Sequence, residues 1–171
     1  MKRIAKFEKV SWTQFQKDYV DTFGEGKTID MNEIHEIYNN IELPVRATSG
    51  SAGYDFKSPI TFTLKPGLTI KIPTGIRVKI DDGWVLKCYP RSGLGFKYKM
   101  RMANVVPIID SDYYYSDNEG HIFLKLSNEG EKDISINSGD KIIQGVFVPY
   151  GITYDDCVNK TRNGGVGSTG K

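Results

Sequence analysis

One turn in the chain, Tyr89-Pro90-Arg91-Ser92-Gly93-Leu94-Gly95, presents a guanidinium, a hydroxyl and flexible backbone at the end of an apolar run. That set suits a phosphate, because arginine bonds two of its oxygens at once and turned N–H groups add further donors. Arg-Ser-Gly also occurs in ordinary surface turns, so the turn alone identifies nothing. A second segment, Asn104-Val105-Val106-Pro107-Ile108-Ile109-Asp110-Ser111-Asp112-Tyr113, reads as an apolar strand opened by an amide and closed by two carboxylates and an aromatic. A carboxylate at a strand end is placed to take a proton from water, although an aspartate there is more often a turn or cap residue. Residues 159 to 171 carry four glycines with Arg162, Ser168 and Thr169 among them. Gly165 to Lys171 satisfies GxxxxGK, but the sequence supplies neither the preceding strand nor the following helix and hydroxyl that a P-loop needs, so that reading fails. The donors still suit a glycine-rich arm that closes on phosphate. His35 and His121 lack metal-ligand spacing, and Cys88 and Cys157 lack a CxxC or Cys/His cluster, so both thiols read as structural and reduced.

The elements that must position these residues are short and β-rich. Runs at Ile60 to Leu64, Leu68 to Ile72, Ile76 to Ile80, Trp84 to Tyr89, Asn104 to Ile109, His121 to Leu126 and Lys141 to Val148 are separated by turn residues such as Pro66-Gly67 and Asp81-Asp82-Gly83. Many short strands without helices between them predict an all-β sandwich, jelly roll or barrel. Residues 11 to 41 differ. Trp12, Phe15, Tyr19 and Phe23 recur at helical spacing between Ser11, an N-cap, and Gly24, a stop, which predicts a helix over 12–23. Asp30 with Glu33 forms a capping box ahead of Ile34, Ile37, Tyr38 and Ile41, which predicts a second. Their apolar stripes are expected to pack on the β domain. Lys97, Lys99 and Arg101, alternating with Tyr98, Met100 and Met102, read as a solvated strand face.

Composition narrows the partners. With 39% hydrophobic and 26% charged residues the chain is an ordinary globular one, and a formal charge of +2 with dispersed basic residues argues against nucleic-acid binding. Any bound anion is expected to be small. The N-terminus interleaves charges with apolar residues, so no leader, membrane span or membrane partner is expected and the location predicted is cytoplasmic.

Read together and in order, five segments are similar to the motifs of the trimeric all-β dUTPase family. They are Ala52-Gly53-Tyr54-Asp55-Phe56, Pro90 to Leu94, Ile109 to Tyr113, Gly139-Asp140-Lys141-Ile142-Ile143-Gln144 and Gly164 to Gly170, and the match spans residues 42 to 171. The resemblance implies a jelly-roll or distorted β-barrel fold within one domain over residues 1–158 and an arm at 159–171 that closes the active site; the helical N-terminal insertion at 11–41 lies outside the resemblance. It implies hydrolysis of dUTP to dUMP and pyrophosphate by water attack on the α-phosphorus, with Asp110 as the general base. Arg91, Ser92, Gly93 and Gln144 would hold the phosphates, joined by Arg162, Gly167, Ser168 and Thr169 from the arm. Asn104, Ile108, Ile109 and Phe123 would read uracil from a hairpin, and Tyr113 would pack on the sugar. Mg²⁺ would ride on the triphosphate without a direct protein ligand, and Asp55 is a candidate for orienting its waters. Shared sites in a homotrimer follow from the same resemblance.

Three departures stand out. Val166 replaces an aromatic, and an aliphatic side chain cannot stack on uracil as a ring does. The arm's arginine is displaced by one position, which leaves Arg162, Lys160 or Lys171 as the closing cation, with Arg162 preferred. Tyr114 to Glu119 lengthens the hairpin, either as a tolerated surface loop or as a contact for a protein partner, a role the N-terminal helices also qualify for. Two other functions compete: a dCTP deaminase of the same fold, for which no matching glutamate base is found, and a nucleotide-gated regulatory binding protein.

Overall fold

The computed structural model describes residues 2–26, 28–160 and 162. Strand β1 (Ala5–Lys9) leads into α1 (Trp12–Phe23) and α2 (Met31–Asn40). Then come β2 (Val45–Arg46), β3 (Tyr54–Lys57), β4 (Phe62–Leu64), β5 (Thr69–Pro73), β6 (Ile76–Ile80) and β7 (Trp84–Pro90). Helix α3 (Ser92–Tyr98) precedes β8 (Met100–Met102), β9 (Ile108–Ile109) and a 3₁₀ turn at Ser111–Tyr115. The chain continues through β10 (Phe123–Asn128), β11 (Ile134–Ile136) and β12 (Lys141–Pro149).

The all-β, jelly-roll-like architecture expected from the strand pattern is the one formed. Its largest sheet has the order β2-β3-β12-β7-β9, beside a three-stranded sheet β5-β10-β8 and the pairs β1-β6 and β4-β11. These sheets stay open, and the described residues form no closed barrel. The inward positions of both larger sheets, among them Phe56, Leu86, Ile143, Ile72, Leu124 and Leu126, are almost fully buried and form one core.

Both predicted helices are present. The Ser11 hydroxyl caps α1 by accepting the Gln14 N–H at 3.2 Å, and Asp30 caps α2 by accepting the Asn32 N–H at 2.8 Å. Phe15 and Ile34 are fully buried, so the stripes do pack on the β domain. Three details differ from the sequence pattern. The strand expected from Asn104 shrinks to Ile108–Ile109, because the Val105 N–H bonds the Met102 carbonyl and Val105 adopts φ 64°, which turns the chain before Pro107. Lys97 and Tyr98 end a helix rather than lie on a strand, while Met100 and Met102 are buried and Arg101 exposed. Cys88 is buried, and burial pushes its thiol up to about 12, but Cys157, also expected to be structural, is exposed.

Candidate active site

Two groups of the sequence-predicted residues assemble on different elements. The first forms where β3, β12 and β7 lie side by side. Asp55 faces Gln144 across one ladder and Tyr89 faces Gln144 across the next, so the ends of the first, second and fourth motifs share one sheet position. Asp55 is 7% exposed and is held by two cations, Arg91 Nε at 3.3 Å and Lys141 Nζ at 2.8 Å. Arg91 leads into α3, whose first turn carries the exposed Ser92 and Gly93. A cleft of about 380 Å³ opens here, lined by Ser51, Gly53, Asp55, Arg91, Ser92 and Gln144 among others. Gly53 lies against Gln144: a Cβ there would sit 2.6 Å from Gln144 Oε1, so the amide end would have to move. Arginine, lysine, amide and hydroxyl donors around one cleft suit a chain of phosphate oxygens.

Both oxygens of Asp55 are therefore engaged by cations. No group of three or more His, Cys, Asp or Glu among the described residues is placed to hold an ion.

The second group centres on Asp110, at the start of the 3₁₀ turn. Arg162 donates from Nη2 to Asp110 Oδ2 at 2.8 Å and from Nε to Asp112 Oδ1 at 3.0 Å, and its guanidinium lies 5.7 Å from the centre of the Tyr113 ring. Burial pushes the Asp110 carboxyl above its usual range; Arg162 opposes this and Asp112 adds to it. Tyr113 is buried, and its hydroxyl donates to the His121 carbonyl at 2.7 Å while accepting from Asn118 Nδ2 at 2.9 Å. A half-buried carboxylate with a raised proton affinity is chemically suited to take a proton from water.

The remaining predicted residues lie on other elements, Ile109 directly before Asp110 in the chain. Asn104 is exposed in the turn after β8, Ile108 and Ile109 lie on the edge strand β9 against β7, and Phe123 begins β10 with its ring 4.6 Å from that of His121. Gly167, Ser168, Thr169, Val166 and Lys171 fall outside the described residues; Lys160 is exposed. Sequence reasoning passed over three partners. Lys141 lies inside the quoted fourth motif three residues before Gln144, and Asp112 inside the third, so each had a signal. His121 had none, since only folding brings its carbonyl to Tyr113.

A sequence profile described as dUTPase matches residues 39–170. The chain belongs to the dUTPase family. The deoxyuridine 5'-triphosphate nucleotidohydrolase of Mannheimia succiniciproducens is 40% identical over 154 residues, which cover 85% of this chain and 99% of the relative. The enzyme of the same name from Lactococcus lactis subsp. lactis is 38% identical over 143 residues, covering 81% of this chain and 95% of the relative. Among solved structures, the Streptococcus mutans dUTPase superposes with a TM-score of 0.59 at 35% identity, over 65% of this chain and 88% of that one. A Staphylococcus bacteriophage 80alpha dUTPase covers 95% of this chain and all of its own with a TM-score of 0.64; at 18% identity it speaks for the fold alone. Family membership thus covers both groups of site residues, whereas β1, α1 and most of α2 precede the matched stretch.

Proposed function

We propose that the chain is a dUTP diphosphatase. Water attacks the α-phosphorus, its proton passes to the Asp110 carboxylate, the bond from the α-phosphorus to the bridging oxygen breaks, and pyrophosphate leaves dUMP behind. The observation that carries this reading is the Asp110 carboxylate at the head of the third motif, raised in proton affinity and paired with Arg162, in a chain whose family relatives bear the name of this activity. Arg91, Ser92, Gly93 and Gln144 bind the phosphate chain, and Asp55 aims Arg91 and Lys141 at it. Asn104, Ile108, Ile109 and Phe123 read the base, and Tyr113 packs on the sugar. When nucleotide binds, Arg162 exchanges Asp110 for a phosphate, and Gly167, Ser168 and Thr169, outside the described residues, are the further phosphate donors.

Mg²⁺ carried on the triphosphate beside Arg91, Ser92 and Gln144 would supply positive charge against the leaving pyrophosphate. A related phage phi11 dUTPase is described with a structural Mg(II) ion. The working unit is a homotrimer with shared sites. Two observations support this: the cleft of Asp55, Arg91 and Gln144 contains neither Asp110 nor Tyr113, and Phe96, Val105 and Val158 are at least three-quarters exposed. The reaction supplies dUMP, and removal of dUTP from the triphosphate pool keeps uracil out of DNA; the setting is the cytoplasm, and no helix of the described residues is long and apolar enough to cross a membrane.

The test is pyrophosphate release from dUTP by purified protein with Mg²⁺, with dCTP, dTTP and UTP turned over far more slowly. Ammonia from dCTP would replace this reading with the deaminase one, and nucleotide binding without any turnover would favour the regulatory one.

A further inference from the structure

The N-terminal segment, which precedes the matched stretch, and the lengthened loop at Tyr114 to Glu119 are bonded to each other. The Glu119 carboxylate accepts the Ser11 N–H at 2.7 Å and the Ser11 hydroxyl at 2.6 Å, so it clasps the N-cap of α1. The Tyr114 hydroxyl donates to Glu8 at 2.6 Å, and the Arg77 guanidinium lies 3.7 Å from the centre of the Tyr114 ring. Glu119 and Gly120 take φ of 57° and 70°, and a Cβ on Gly120 would meet the Tyr113 carbonyl at 2.7 Å, so this reversal folds the loop tightly onto the site residue itself.

A third connection runs through the interior. His121 is fully buried and its Nε2 accepts the Gly75 N–H at 2.7 Å, which places its proton on Nδ1, directed at Asp18 Oδ2 2.6 Å away. Gln14 donates to the same oxygen at 2.8 Å. Burial opposes the charge on Asp18, but the bonds from His121 and Gln14 outweigh it and hold the carboxyl below its usual range. The backbone carbonyl of His121 receives the Tyr113 hydroxyl, and its ring packs on Phe123. The path from α1 to the site is therefore Asp18, His121, Tyr113, and from Tyr113 one turn of 3₁₀ structure to Asp110, whose carbonyl accepts the Tyr113 N–H at 3.2 Å.

We infer that the N-terminal segment is a brace for the catalytic loop, with Asp18 a positioning residue that acts through His121 on Tyr113 and Asp110. The inference rests on Asp110 being the base of dUTP hydrolysis. Misplacement of a reacting group by an ångström from a remote change can cost about a hundred-fold in rate, so loss of the brace lowers kcat rather than affinity.

The experiment measures kcat per functional site, with sites counted by titration against a non-hydrolysable α,β-imido analogue of dUTP, for the full chain and its variants. Asp18→Ala is expected to lose roughly ten- to a hundred-fold in kcat per site, with KM within about a factor of three of the parent. Asp18→Asn, which keeps an oxygen for the Nδ1 proton, recovers most of the loss. A merely structural role would reduce the number of titratable sites and the Tm and leave kcat per site unchanged, and that result overturns the inference. Should Asp18→Ala fail to fold, Glu119→Ala decides: it cuts the clasp on Ser11 at a partly exposed position, and a loss of about ten-fold in kcat per site supports the brace while no loss refutes it. A parent chain that releases no pyrophosphate from dUTP sinks the dUTPase reading instead; an active parent with unaffected variants sinks the brace alone.

Discussion

Asp110 has competing neighbours, and their balance sets its chemistry. Replacing it by asparagine keeps the shape and an acceptor but removes the basic oxygen, so Asp110→Asn is expected to bind the imido analogue as the parent does and to hydrolyse dUTP about 10² to 10⁴ times more slowly. Near-normal turnover would remove Asp110 from the role of base. The pH profile tests the same residue independently. A base works deprotonated, so kcat/KM, which reports the free enzyme, rises with pH through the Asp110 titration, at a midpoint above the ordinary value of 3.8 because burial raises it. Arg162 holds that midpoint down, so in Arg162→Ala it moves to higher pH; an unmoved midpoint would mean that the 2.8 Å pair does not form in solution. At this scale the sequence was informative about residue types and weak about partners. Arg91, Gln144 and Asp110 could be singled out from motif order, but that Asp55 ties Arg91 to Lys141 depends on the register of β3 against β12, which a linear reading does not contain.

The elements were legible where a local rule governs them. Helix α1 begins and ends where Ser11 and Gly24 say it should, because a cap satisfies orphan N–H groups whatever the rest of the fold does. The strand from Asn104 was not legible. An apolar run matches a strand pattern, yet the left-handed turn at Val105 consumes the backbone bonds it would have used. Likewise β1 and β3 are short, and only pairing with β6 and β12 defines them. Ser11 distinguishes a local cap from a tertiary one. Losing an N-cap costs about 0.5 to 2 kcal/mol, so Asp30→Ala on α2 is expected in that range. Ser11→Ala also removes a bond to the Glu119 carboxylate, and its loss in urea or thermal unfolding is expected to be the greater of the two; equal losses would mean Glu119 contributes nothing to the clasp. Acid should loosen the same contact. The folded pKa values of Asp18 and Glu119 lie below their ordinary 3.8 and 4.5, so the stability they contribute is present above those values and disappears as pH falls through the lower folded ones. A Tm that is flat in pH from about 5 down to about 3 would contradict this linkage.

In the whole molecule, the separation of the two residue groups is the feature that assembly must resolve. One chain gathers Asp55, Arg91, Lys141 and Gln144 at one cleft, and Asp110, Tyr113 and Arg162 on the 3₁₀ turn after β9. If a neighbouring subunit brings the second group to the first, then a site lacking Arg91 and a site lacking Asp110 can be repaired by exchange. Arg91→Ala and Asp110→Asn are each expected to be nearly inactive as homotrimers. Co-expressed in equal amounts they assemble at random, and a site that takes Arg91 from one subunit and Asp110 from another is intact about one time in four, so roughly a quarter of the parent rate returns. Were both residues drawn from one subunit, no mixture would recover activity, since every site would carry one of the two lesions. The brace adds a condition to this exchange. Because α1 contacts the catalytic loop of its own chain through Asp18 and Glu119, an Asp18→Ala lesion travels with the subunit that donates Asp110. Placed on the Arg91→Ala chain it should depress the recovered activity, and placed on the Asp110→Asn chain it should not; the two mixtures differing in this order would locate the brace and the base on the same subunit.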